Sequence, residues 1–169
     1  RSSGKQGYAL GDIAAQRGAK VTIVAGATDE LDPPSGAEVI KVGSTREMKQ
    51  AMAERAPEAD VVIMAAAVAD FRPEAEASTK LKKGTSDDAL STIHLVENPD
   101  VLKGLVAKRD AGETDATIIG FAAETDDLLA NAASKRTAKN ADWIVANDVS
   151  PATGVMGGEI GRASCRERV

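Results

Sequence analysis

Four short apolar runs limit what this chain can become: Ala19–Ala25 (AKVTIVA), Asp60–Ala67 (DVVIMAAA), Ala116–Ala122 (ATIIGFA) and Asp142–Ala146 (DWIVA). Each is too short for a core helix and rich in Val and Ile, so each reads as a buried strand. Helical spacing fills most of the chain around them. A helix is expected over Gln6–Arg17, with Leu10, Ile13, Ala14 and Arg17 on one face and Gly18 as its stop. Thr45 is placed as the N-cap of a second helix, which runs to Ala56 with Met48 and Met52 inward. Asn98-Pro99-Asp100 opens a third, with asparagine as cap and proline early in the first turn. Asp127–Asn140 is the fourth, with Leu128, Leu129 and Ala132 on one side. Two further segments, Ala37–Val42 and Leu90–Val96, alternate with period two; the second follows a loop with no helix between, so it is expected to pair antiparallel. The order implies an α/β fold: a doubly wound, mainly parallel Rossmann-like sheet with helices on both faces and its first strand missing.

Hydrophobic residues make up 43% of the 169, but only 2% are aromatic, so Ala, Val, Ile and Leu must build the core. A net charge of −5 argues against general nucleic-acid binding, which needs a basic excess. No apolar run approaches the roughly 20 residues that span a bilayer, and no secretory signal opens the chain. One histidine and one cysteine leave no ordinary zinc ligand set and no internal disulfide, as suits a reducing cytoplasm. His94 is expected to be solvated, and Trp143 to pack.

In open α/β sheets, ligands sit beyond the carboxyl ends of the strands. Ala65–Lys83 leaves such an end, carrying small residues, then Asp70 and Arg72, then Lys80, Lys82 and Lys83 on a loop. The plain alternative is a strand followed by a solvated loop. Ser2-Ser3-Gly4-Lys5 at a helix start offers N–H groups, hydroxyls and an ammonium to an anion, or simply caps a close-packed helix. The glycines at 4, 7 and 11 need an offset there, from tight packing or from a ligand. The segment is neither G-x-G-x-x-G nor a Walker A loop. Phe121 either stacks on a ring or fills core, and Lys135 and Lys139, four apart, share one helix face that is otherwise just solvated. The last strand delivers Asn147 and Asp148 to the same edge.

Taken together, SSGKQGYAL (Ser2–Leu10), AAVADFRP (Ala66–Pro73), KLKK (Lys80–Lys83), NPDVL (Asn98–Leu102), GFAAET (Gly120–Thr125) and KRTAKNADWIVANDVS (Lys135–Ser150) closely resemble the phosphopantothenoylcysteine synthetase family. The likeness is to its bacterial CTP-dependent form, usually fused behind a flavin-dependent decarboxylase. The resemblance implies a cytoplasmic ligase of coenzyme A biosynthesis. The carboxylate of 4′-phosphopantothenate attacks the α-phosphate of CTP, giving an acyl-cytidylate and pyrophosphate; the amine of cysteine then forms the amide and releases CMP. By the same resemblance, Met64, Ala65, Ala66 and Asp70 line the nucleotide pocket, and Lys80 meets the phosphates as the catalytic cation. Pro99, Asp100, Val101 and Leu102 place a helix start beside the nucleotide. Phe121 packs on it, Lys135 and Lys139 hold it, and Asn147 is a weaker member. Ser2, Ser3 and Gly4 match the acyl-phosphate segment. Mg²⁺ accompanies CTP, FMN belongs only to a fused decarboxylase domain, and the intact protein is expected to be a homodimer without nucleic-acid or membrane partners.

The family's asparagine ahead of serine-serine-glycine would lie before Arg1, so this fragment is expected to be inactive. Both ends are expected to be truncated: residues 1–158 read as a partial synthetase domain. Glu159–Val169 (EIGRASCRERV) reads as a non-native tail that resembles a translated DNA-sequencing adapter. Two other readings compete. One is a Rossmann-type NAD(P)-dependent oxidoreductase, suggested by Val24-Ala25-Gly26 after a strand but lacking the glycine fingerprint and any Tyr-x-x-x-Lys pair. The other is a non-catalytic nucleotide-binding module.

Overall fold

The computed structural model describes residues 3–28, 31–66, 68–75 and 93–150. In chain order the elements are α1 (Lys5–Gln16), β1 (Val21–Ala25), β2 (Ala37–Lys41) and α2 (Thr45–Arg55), which runs into a 3₁₀ turn at Ala56–Glu58. Then come β3 (Val61–Met64), β4 (Phe71–Pro73), β5 (Leu95–Glu97), α3 (Val101–Asp110), β6 (Thr117–Glu124), α4 (Leu128–Lys139) and β7 (Trp143–Asp148). β6 is the middle of a three-stranded parallel sheet, with Val62 of β3 beside Ile118 and Trp143 of β7 beside Ile119. β1 and β2 form a separate parallel pair, and β4 and β5 pair antiparallel. The antiparallel excursion was expected, but the strand read as Leu90–Val96 is Leu95–Glu97 among the described residues, His94 lies just before it, and its partner β4 falls in the stretch read as a loop. The expected parallel sheet is therefore present in two pieces among the described residues, β1-β2 and β3-β6-β7, with β6 the one strand paired on both sides.

The core explains why β6 is so apolar. Val62, Ala116 and Ile118 pack with Val101, Leu105 and Val106 of α3 and with Ala56, while Met52, Met64 and Leu102 close the margin. Side chains alternate across a strand, so Ile118, Gly120, Ala122 and Glu124 share the face that the helices cover. Gly120 permits that approach: a Cβ there would lie 2.8 Å from Ile144 and 3.2 Å from Leu102.

On the other pair, α1 seats Gly11 against Val21 and Ile23, where a Cβ would come within 2.7 Å of Ile23. This answers the glycine question for position 11: tight packing offsets its helical cost. It also corrects the expected buried face. Tyr8 and Gly11 are buried, whereas Leu10 and Ile13 are exposed. The helix lies closest to β1 at Gly11, where it has no side chain, and Leu10 and Ile13 turn outward.

Local competition shifts two caps. Ser44, not Thr45, caps α2: its hydroxyl accepts the Glu47 N–H at 3.2 Å, and the Glu47 carboxylate accepts the Gly43 N–H at 2.7 Å. This is a near relative of the S-x-x-E box. Asp100, not Asn98, caps α3, accepting the Lys103 N–H at 2.9 Å. Asn98 is occupied elsewhere, as described below. Two apolar residues expected to pack do not: Leu129 is 71% exposed and Trp143 47%. His94 is exposed, as expected, and its carbonyl accepts the Glu74 N–H.

Candidate functional site

Because β3, β6 and β7 run parallel, their ends at Met64, Glu124 and Asp148 share one edge of the sheet. α3 must run back to feed the start of β6, so it begins at that edge too. Asn98 holds this beginning in place. Its backbone N–H donates to the Asp70 carbonyl at 2.7 Å and its Nδ2 to the Ala69 carbonyl at 2.9 Å. Arg72 Nη1 adds a 2.7 Å bond to the Glu97 carbonyl. The following proline keeps Asn98 extended, which leaves both of its donors facing the segment after β3. Asp70 and Asp100 are thus brought to neighbouring strands of chain.

α4 is set from its far end. Arg109, near the end of α3, donates to the Asn140 carbonyl at 2.9 Å and to Asp142 Oδ2 at 2.6 Å. Asp142 Oδ2 also accepts the Ile118 N–H at 2.8 Å. Asn140 closes α4 in the left-handed region (φ 50), a conformation asparagine tolerates better than most. One guanidinium thereby ties the turn after α4 to both α3 and β6.

With α4 so placed, its two lysines reach the rim. Lys135 Nζ lies 2.6 Å from Glu124 Oε1, on the last residue of β6. Lys139 Nζ pairs with Asp100 Oδ2 at the cap of α3. Burial works against charge on Asp100, but the Lys103 N–H and then the Lys139 ammonium outweigh it and hold its carboxyl below the usual carboxylate range. The rim therefore carries one ammonium, Lys139, at the first turn of α3 and another, Lys135, at the end of β6, each paired with a carboxylate. A helix start of this kind favours anions.

Asp100→Ala is expected to cost about 1 kcal/mol at neutral pH, the usual loss of an N-cap, read from urea unfolding. Asp100 has its folded pKa below the ordinary 3.8. Its contribution is therefore complete above that value and is lost as pH falls through the folded one. The stability gap between wild type and variant should narrow below that range. A gap constant into strong acid would show that the charge contributes nothing.

The other expected site residues divide between the two faces of the sheet. Met64 packs at the core margin, and Val101 is buried with its side chain in the core, so only the backbone of Val101 is offered to a ligand. Leu102 packs against Gly120, and Pro99 is half-buried just before the cap. Ala65 is half-buried, Ala66 and Asp70 are exposed. Phe121 and Asn147 are half-buried on the face opposite Glu124, with Phe121 beside Val145 and Asn147 beside Ala123. Ser3 is exposed, and Gly4 begins α1 with φ 75, packed against Thr28 and Leu31. Ser2, Lys80, Lys82 and Lys83 lie outside the described residues, as does the tail 159–169.

The residues that sequence reasoning missed are Glu124, Asn98 as a latch, and the Arg109–Asp142 tie. Strand parity carried a signal for Glu124: continuing the alternation of ATIIGFA puts it on the buried face. Elsewhere, an open cleft lined by Tyr8, Asp12, Asp32 and Pro33 has acidic polar groups, the wrong sign for a polyphosphate. No group of three or more His, Cys, Asp or Glu gathers as a metal cage among the described residues.

Residues 1–165 match the family model described as the DNA/pantothenate metabolism flavoprotein C-terminal domain. The chain is 48% identical over 155 residues to the coenzyme A biosynthesis bifunctional protein CoaBC of Mycolicibacterium smegmatis, covering 88% of this chain and 37% of that protein. It is 49% identical over 149 residues to the same-named protein of Vibrio parahaemolyticus, covering 88% and 36%. The chain thus spans little more than a third of the length of these relatives. Among solved structures it superposes on the C-terminal domain of a CoaBC with a TM-score of 0.72 at 38% identity, covering 88% of this chain and 66% of that one. A DNA/pantothenate metabolism flavoprotein from Streptococcus pneumoniae shares the fold, with a TM-score of 0.68 at 22% identity, covering 88% and 73%.

Proposed function

Since this chain belongs to the DNA/pantothenate metabolism flavoprotein C-terminal domain family, we propose that it carries the nucleotide site of a CTP-dependent phosphopantothenate–cysteine ligase. The observation that carries this reading is that α4 brings Lys135 to the end of β6 and Lys139 to the start of α3. In the reaction two anions must meet, the carboxylate of 4′-phosphopantothenate and the α-phosphate of CTP. Their approach concentrates negative charge, and preorganised cations stabilise it. Lys135 and Lys139 hold the polyphosphate, the N–H groups at the start of α3 add partial positive charge, and Lys80 is the cation assigned to the reacting phosphate. Asp70 and the backbone of Ala65 and Ala66 receive the nucleoside. Phe121 and Asn147, on the other face, flank it across the rim.

Mg²⁺ enters with the triphosphate. It keeps phosphate oxygens and water as ligands and so needs no dedicated protein cage. The acyl-cytidylate formed in the first step is consumed by the amine of cysteine. Serine and glycine at positions 2–4 lie at the acyl-phosphate. The whole protein joins this activity to a decarboxylase domain that holds FMN, acts as a homodimer and works in the cytoplasm. No helix of the described residues is long and apolar enough to cross a membrane.

Thermal shift separates the readings. CTP with Mg²⁺ is expected to raise the melting temperature of this chain, and NADPH is not. Stabilisation by NADPH alone would replace the ligase reading with an oxidoreductase. In the full-length protein, pyrophosphate release should require phosphopantothenate. Nucleotide binding without release would leave a binding module.

A further inference from the structure

We propose that Glu124 is a positioning residue for Lys135: a buried carboxylate that fixes the ammonium at the rim so that its outward N–H groups meet a polyphosphate. This rests on the nucleotide reading of the site and adds to it a residue which that reading does not use.

The argument begins with the strand. Glu124 ends β6 on the face that also carries Ile118, Gly120 and Ala122, so alternation directs a carboxylate beneath the helices. Its backbone is held by pairing with Asp148 and by the Val149 N–H, which donates to its carbonyl at 2.9 Å. Only 13% of its side chain is exposed, against 51% for Lys135. Oε1 is fully buried and accepts no hydrogen bond of good geometry. The ammonium 2.6 Å away is its counter-charge. A buried charge without such a partner is strongly unfavourable.

The two groups are not placed alike. The carboxylate is inside and the ammonium half outside, so the pair has an inner and an outer side. A lysine in water samples many rotamers, and holding it still at the moment of binding costs entropy. Anchoring Nζ from beneath removes part of that cost beforehand. Lysine has three donors, so one can face the carboxylate while the others point to solvent. Lys139 is held in a related way by Asp100, but that carboxylate also caps α3 and is less buried. Among the described residues, Glu124 has no comparable second duty to a helix end.

The test compares Glu124→Gln with wild type by calorimetric titration of CTP–Mg²⁺ and, separately, of cytidine. Glutamine keeps the shape and removes the charge. CTP–Mg²⁺ affinity is expected to fall about two- to five-fold, in the range of a partly exposed ion pair, while cytidine affinity stays unchanged. General damage to the site would weaken both ligands, and that result would overturn a positioning role. In a Lys135→Met background, Glu124→Gln should have no further effect on CTP. An equal loss in both backgrounds would equally overturn it.

Should Glu124→Gln fail to fold, the wild-type chain supplies the second measurement. The ¹⁵Nζ resonance of Lys135, assigned by its loss in Lys135→Met, should resist solvent exchange before nucleotide is added. It should then shift on addition of CTP–Mg²⁺. Exchange as fast as at Lys49, which is exposed on α2, would overturn the proposal. Wild-type chain that binds CTP while Glu124→Gln binds it equally well rejects the positioning role alone. Wild-type chain that binds no CTP rejects the site reading, and the positioning role with it.

Discussion

Lys139→Met is expected to weaken CTP–Mg²⁺ binding by roughly 10- to 150-fold, the equivalent of one charge-assisted hydrogen bond at about 1.5–3 kcal/mol. The same substitution should hardly change the stability of the unliganded chain. The Lys139–Asp100 pair is half open to water, with Lys139 42% exposed, and pairs of that kind contribute about 0–1 kcal/mol. Asp100 also keeps the Lys103 N–H as a partner when the ammonium is gone. Binding and stability therefore separate cleanly at this position. Titration calorimetry gives the first quantity and urea unfolding the second. Unchanged affinity would remove Lys139 from the site. A large loss of stability would instead make its pairing with Asp100 chiefly structural.

Ile118→Ala should have the largest effect on folding, a loss of about 2–5 kcal/mol, as for other large-to-small changes at fully buried positions. Ile118 is 1% exposed and sits on the central strand, packed between β3 and α3. Its backbone N–H also meets Asp142, so collapse around the cavity is resisted on both sides. Set against a total stability of roughly 5–15 kcal/mol, this is a large fraction. Leu129→Ala is the control, because an exposed leucine away from any special contact changes stability by no more than about 0.5 kcal/mol. Chemical denaturation should show a lower midpoint for Ile118→Ala with an unchanged slope. Equal effects at 118 and 129 would mean that the helix-covered face of β6 is not the core.

These two residues show how far periodicity carries. Ile118 and Leu129 are both apolar residues in apolar patterns, and the sequence offers no means of ranking them. Spacing says which residues share a face, but whether the face is covered depends on what packs there. Leu10 and Ile13 on α1 illustrate the same point. They sit at the right spacing for a buried stripe, yet the helix approaches β1 through Gly11, which hydropathy ignores. Caps were legible only to within one or two residues, since Ser44 and Thr45, or Asn98 and Asp100, are chemically equivalent candidates. At the second pair a contact distant in sequence decided between them, because Asn98 is taken by Ala69 and Asp70.

The site divides in the same manner. That Lys135 and Lys139 share a helix face follows from their four-residue spacing, and that β6 and β7 end near one another follows from the order of elements. The carboxylates that meet those lysines were not legible. Lys135 and Glu124 are eleven residues apart, and Lys139 and Asp100 are 39 apart. No local rule joins them.

The sequence alone determined the class of fold, the order of its helices and parallel strands and the family motifs, because these depend on short-range spacing and residue chemistry. The short strand β4, which pairs with β5, was not among them. Tertiary structure decided which faces are covered, which cap wins and where each ammonium finds its counter-charge. The physical reason is that burial and ion pairing belong to pairs of surfaces. Their partners come together only when the sheet and its helices have packed.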